Sequence, residues 1–193
     1  MQQTTYQIKL VLKGSKPLIW RRLLIPSAIL LSDLHRIIQT TMGWTNSHLH
    51  QFIKDRLYYQ EQMDDNDLWD EELDVDYRST KLADLLRKEK ERIIYEYDFG
   101  DSWEHDVILE KILPAGDGAE YPVCLDGKLN CPPEDCGGIW GYYGMLEILK
   151  HPDHEEYDDY IEWLGGEFDP DYFDRNKVNY LLKEDNYGCI DFF

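Results

Sequence analysis

An α+β fold, with a mainly antiparallel sheet, flanking helices and a helical C-terminal third, follows from three features of this sequence. Apolar and polar residues alternate with period two in the first half of the chain. The alternating segments are joined by stretches short enough to be hairpin connections. From Pro132 onward the apolar spacing lengthens to that of helices. Strands and helices do not alternate along the chain, so a doubly wound parallel architecture is not expected. The reading is one domain over 1–193, strand-rich over about 5–112 and helical over about 137–184.

Taken in order, Tyr6, Ile8, Leu10 and Leu12 fall on one side of a strand, with Gln7 and Lys9 opposite. Gly14-Ser15-Lys16-Pro17 is a turn, and Leu18 to Ile25 is a second strand that Pro26 stops. Ser32 suits an N-cap for a helix carrying Leu34, Ile37, Ile38 and Thr41, with Gly43 in its left-handed end position. His48 to Lys54 and Arg56 to Tyr59 read as a strand pair or one bent strand. The acid-rich run 64–76 reads as a solvated loop, and a short helix follows around Leu82, Leu85 and Leu86. Ile93, Tyr95, Tyr97 and Phe99 alternate, as do Trp103, His105, Val107 and Leu109, around a turn in which Gly100 can take positive φ. Three helical stripes close the chain: Tyr142, Met145, Leu146 and Leu149; Tyr157, Tyr160, Ile161 and Leu164; and Val178, Leu181 and Leu182. Gly165-Gly166 ends the second, Asp169-Pro170 reads as a cap with a first-turn proline, and Asp174 suits the cap of the last.

Composition narrows the partners. There are 39 Asp and Glu against 20 Lys and Arg, a formal net charge of −19. A field of that sign disfavours nucleic acid and anionic membrane, because phosphate binding depends on cations that release counterions. Arg21-Arg22 and the Lys81/Arg87/Lys88/Lys90/Arg92 region are candidates for a local basic patch, although acids interrupt the second. Dense aromatics, 6 Trp, 14 Tyr and 6 Phe, mark a folded chain. The N-terminus has no signal-peptide pattern and no apolar run long enough to span a membrane. The expected place is therefore cytoplasmic, with the 4 cysteines reduced.

Four stretches stand out: Gly43-Trp44-Thr45-Asn46-Ser47-His48-Leu49-His50-Gln51-Phe52, Tyr97-Asp98-Phe99-Gly100-Asp101-Ser102-Trp103-Glu104-His105, Pro132-Pro133-Glu134-Asp135-Cys136-Gly137-Gly138, and Trp163-Leu164-Gly165-Gly166-Glu167-Phe168-Asp169-Pro170. With them the chain resembles the plasmid pRiA4b ORF-3-like family, from about Tyr6 to Leu182. The resemblance implies an association with plasmids and mobile elements, and a resolvase label carried by some members. It implies no cofactor and no catalytic residue. The resolvase label fails on physical grounds: a serine recombinase needs an activated serine among arginines and a basic DNA-binding module, which a chain this acidic lacks.

The candidate binding residues are His48, His50, Asp98, Asp101, Trp103, His105, Glu134, Asp135 and Cys136. His48 and His50, two apart in an expected strand, should leave the same face. With a distant His such as His105, an Asp or a Cys they could hold a transition metal, although imidazoles hydrogen-bonded beside aromatics are the commoner outcome. Asp98 and Asp101 could bind a cation or simply make the turn. Glu134 and Asp135 suit the dipole of a helix opening at Gly137-Gly138, whose N-terminus would activate a Cys136 thiol that the same two acids oppose.

No complete catalytic set is present, so the leading expectation is a non-enzymatic binding or protein-interaction module with an aromatic cleft. It needs no cofactor or metal, and its partner is a protein or peptide, a second copy of the chain included. The alternatives are a metal-dependent hydrolase or nuclease built on His48, His50, His105, Asp98, Asp101 or Glu134, and an acidic DNA mimic using 64–76 and 153–162.

Overall fold

Among the described residues, the expected alternation builds an eight-stranded sheet. The computed structural model describes residues 4–62, 70, 72–114 and 122–190. In chain order the elements are β1 (Thr4–Leu12), β2 (Trp20–Pro26), α1 (Leu31–Met42), β3 (His50–Lys54), β4 (Leu57–Gln60), β5 (Asp74–Asp76), α2 (Leu82–Leu85), β6 (Arg92–Tyr97), β7 (Trp103–Pro114), β8 (Val123–Lys128), α3 (Gly138–Ile148), α4 (Tyr157–Leu164) and α5 (Arg175–Leu181). The strand order is β5-β4-β3-β6-β7-β1-β2-β8. Every pairing is antiparallel except β4 with β5.

One face of this sheet is dry. Tyr6, Ile8, Leu10, Leu12, Leu23, Ile25, Ile93, Tyr95, Tyr97, Trp103, Val107 and Leu109 are all buried, whereas their neighbours Gln7, Lys9, Arg22, Glu96 and Glu104 are half-exposed. That is the pattern of an antiparallel sheet with helices gathered on one side. Helix α1 lies there, with Leu34, Ile37 and Ile38 fully buried, and it ends at Gly43 with φ 94. A non-glycine residue pays a steric penalty in that region, which is why glycine suits the position.

The structure refines several expectations. Helix α1 begins one residue before Ser32, with Leu30 at the cap position and no side-chain cap. The segment after His48 is a strand pair joined by Asp55 and Arg56, both at positive φ, as a tight hairpin with the strands' own twist requires. Of the acidic run 64–76, residues 64–69 and 71 lie outside the described residues. Asp74, Val75 and Asp76 form β5, a parallel edge strand whose charges discourage further pairing. Strand β8 carries no clear alternation and is held by β2 and by Asn179, whose side chain bonds the backbone N–H and C=O of Cys124 at 2.7 and 2.8 Å. The C-terminal third is helical only in part: α3, α4 and α5 are short and joined by turns. Asp174 caps α5 through Asn176 and Lys177 N–H groups, but Asp169-Pro170 makes a turn rather than opening a helix.

No basic patch forms at Arg21-Arg22. Arg21 points into the dry face and is 2% exposed, while Arg22 on the other face pairs with Glu110 at 2.7 Å. Period-two alternation sends adjacent residues to opposite faces, so the two charges cannot act together. Among the described residues no helix is long and apolar enough to cross a membrane.

Candidate functional site

The β6–β7 turn is the frame of the site. Asp98, not Gly100, adopts the left-handed conformation there (φ 59), as does Ser102 (φ 53). Asp98 Oδ1 accepts the N–H groups of Gly100 at 2.9 Å and Asp101 at 3.3 Å. This local bonding is why aspartate tolerates positive φ. Asp98 is buried, its side chain 11% exposed.

The segment 132–138 folds against this turn. Gly137 N–H donates to Asp101 Oδ2 at 3.1 Å, so Asp101 supplies the anionic partner at the start of α3. Glu134 and Asp135 do not take that role, and α3 has no acid in its first turn. The two glycines allow the approach: Gly138 has φ +65, and a Cβ there would sit 2.6 Å from the Asp101 carbonyl.

Glu134 instead ties three stretches together. Its Oε2 accepts from Thr45 N–H at 3.0 Å and Thr45 Oγ1 at 2.7 Å, and its Oε1 from Tyr97 Oη at 2.5 Å. Beside it Trp44 stacks on Tyr97, ring centroids 4.9 Å apart, and donates Nε1–H to Pro132 O at 3.0 Å. Trp103 is fully buried, 6.0 Å from Trp44. Burial, then the bond to Glu134, pushes the Tyr97 phenol well above its ordinary range. Truncating Glu134 to Ala should therefore cost about 2 kcal/mol, chiefly for leaving the part-buried Tyr97 hydroxyl without its charged acceptor, since water can reach the Thr45 donors. Glu134→Gln, which keeps acceptor capacity, should cost less than half of that; urea unfolding of both variants measures the difference.

The three imidazoles part company. His48 precedes β3 rather than lying in it, because pairing starts only at His50 opposite Tyr97. Outside a paired strand the two-residue rule does not hold. His48 Nε2 lies 3.2 Å from Asp135 Oδ1 and 3.7 Å from Asp98 Oδ2. His50 stacks on His35 with centroids 3.4 Å apart and bonds Tyr77 Oη at 2.9 Å. His105 is fully buried, its Nδ1 bonded to Trp103 O at 3.0 Å. Burial holds the His105 pKa down to about 3. His48, Asp98 and Asp135 are thus together, while His50 and His105 belong to the aromatic core. Cys136 does not gain thiolate character: burial, then Asp101, pushes its pKa up to about 12.

An open groove of about 570 Å³ runs beside this junction. Trp44, Thr45, Pro132, Glu134, Leu164 and Phe168 contribute to it, so residues of three of the four motif stretches line it together with the faces of the C-terminal helices. Thr45, Ser47 and Tyr97 escaped the candidate set, although all lie within those stretches; only their hydroxyls, beside an acid distant in sequence, could have marked them.

A one-sided antiparallel sheet whose turn, pre-strand loop and Pro-Pro segment are locked together by carboxylates defines the class of protein. The chain belongs to the plasmid pRiA4b ORF-3-like protein family, whose model matches residues 4–177. It is similar to the uncharacterized protein y4hQ of Sinorhizobium fredii (strain NBRC 101917 / NGR234), 37% identical over 165 residues, which covers 86% of this chain and 83% of that one. It is also similar to the crystal structure of protein of unknown function MM3350 from Methanosarcina mazei Go1, with a TM-score of 0.81 and 40% identity over 91% of this chain and 98% of that one.

Proposed function

We propose that this chain is a non-enzymatic binding module whose groove receives a basic, apolar-anchored segment of a protein or peptide partner. The observation that carries this reading is the groove itself, with residues of three motif stretches in its lining. Its volume of about 570 Å³ falls in the ordinary range for ligand sites, and it is open, as an extended peptide needs. Tyr172 and Ile190 line it while remaining 47% and 51% exposed. Large apolar side chains left in contact with water in a concave surface mark interaction sites. The net charge of −19 favours a basic partner and opposes a second copy of the same charge.

Synthetic peptides of about ten residues with one aromatic or aliphatic anchor, in lysine-rich and glutamate-rich versions, test this through tryptophan emission, since Trp44 lines the groove. The lysine-rich set should bind, weaken as salt rises, and lose at least about tenfold affinity with Tyr172→Ala combined with Ile190→Ser. Equal response to both peptide charges, or an unaffected double variant, would sink the proposal.

A further inference from the structure

We propose that His48, Asp98 and Asp135 form a binding site for one divalent transition-metal ion of the zinc or manganese type. The site is separate in chemistry from the groove and does not depend on what the groove holds. One ligand atom from each residue lies within 4.8 Å of the others. Around an ion with bonds of about 2.1 Å, adjacent ligand atoms are roughly 3.0–3.5 Å apart. The separations of 3.2 and 3.7 Å from His48 Nε2 need only a small adjustment to match.

Two further observations point to a ligand. His48 Nε2 is closed to solvent and has no hydrogen-bond partner of acceptable geometry, although two carboxylates lie near it. A buried ring nitrogen in that state costs free energy that a metal bond would recover. Asp98 spends Oδ1 on two backbone N–H groups, and its Oδ2 stands 3.7 Å from His48, too far for a hydrogen bond. Nearby acids are already committed: Glu134 to Tyr97 and Thr45, and Asp101 to Gly137. The three remaining groups supply two negative charges and one neutral nitrogen, which balances a divalent ion.

The donor types choose the ion. Imidazole disfavours Mg²⁺ and Ca²⁺, which take all-oxygen sites, and no thiolate is present to demand a softer metal. The Asp135 side chain is 67% exposed, which opens a path for the ion and for water to complete its shell. The Tyr97 ring, edge-on to His48 at 5.7 Å, holds the imidazole in place.

The test uses chelator-treated, untagged full chain. Titration calorimetry with Zn²⁺ and Mn²⁺ should give one site per chain, with Mg²⁺ at least about 100-fold weaker. Asp135→Asn keeps a residue suited to positive φ, and its metal-free melting curve should match the wild type. It should nevertheless bind about 100-fold more weakly, as should His48→Ala, since even outer-shell changes cost 10–100-fold. Co²⁺ absorption should show a nitrogen–oxygen site in the wild type and lose it in both variants. Absence of stoichiometric Zn²⁺ or Mn²⁺ binding by the wild type, or binding that survives either substitution, overturns the proposal.

Discussion

Replacing Arg21 with Ala should destabilise the protein by about 4 kcal/mol, the loss of its hydrogen bonds to carbonyls together with the cavity left behind. Arg21 is 2% exposed, and among the described residues its partners are carbonyls and a ring rather than a carboxylate. Its Nε donates to Thr41 O at 2.9 Å, and its Nη1 donates to Trp20 O at 2.9 Å and Lys128 O at 3.0 Å. The guanidinium lies 4.3 Å above the centre of the Phe173 ring. One side chain therefore joins β2, the end of α1, β8 and the approach to α5. Ala would remove these three bonds and leave a cavity as well. Arg21→Met would fill the space without donors, at about 2–3 kcal/mol, so the difference between the two isolates the cavity. For a chain of this length, 4 kcal/mol lowers the melting temperature by roughly 8–16 °C. A melting temperature for Arg21→Ala within about 2 °C of wild type would refute this account of the core.

Acid should destabilise the protein before its carboxylates titrate. His105 is fully buried, and burial holds its pKa near about 3. Burial, and then the neighbouring His35, also hold His50 well below the ordinary value. In the unfolded chain an imidazole titrates near about 6.5. Between those two values the unfolded state binds more protons, so stability is complete above about pH 6.5 and falls as pH falls, until His105 itself protonates near about 3. For His105 alone the slope is about 1.4 kcal/mol per pH unit, or roughly 2 kcal/mol lost at pH 5. His50 acts in the same direction. Partial neutralisation of the −19 net charge opposes the loss by easing self-repulsion. His105→Phe separates the two, because it shares the self-repulsion but not the titration. Its stability should start lower at neutral pH, by about 1 kcal/mol for the lost bond to Trp103, and decline less steeply from pH 6.5 to 4.5. Parallel slopes for the two proteins would show that His105 does not govern acid stability.

The elements that could be read from sequence are those whose signal is repeated within a few residues. Tyr6, Ile8, Leu10 and Leu12 announce β1 because each repeats the same demand for one dry face. Gly43 and Asp174 announce helix ends because each satisfies a local backbone need. β8 sends no such signal: only Cys124 in Val123–Lys128 is buried, and Asp126-Gly127 resembles a turn. Its strand character comes from β2 and Asn179, both remote in sequence. Arg21 was legible as a charge and not as a core residue, since the alternation places it inward only if the partners waiting there are known.

His48, Asp98 and Asp135 all stood among the candidate residues, but their association did not. Spacing coupled His48 to His50 and Asp98 to Asp101. The fold gives the side chains of each pair different partners, sending His50 to His35 and the Asp101 carboxylate to the start of α3.

The chain's own pattern therefore determined its strands, its helical stripes, its charge and the short strings that identify its family, because these depend on neighbours a few positions apart. Which carboxylate meets which imidazole was decided only when the β6–β7 turn, the loop before β3 and the Pro-Pro segment closed on one another. Contacts between residues tens of positions apart are set by how the packed sheet brings its ends together, and no local periodicity encodes them.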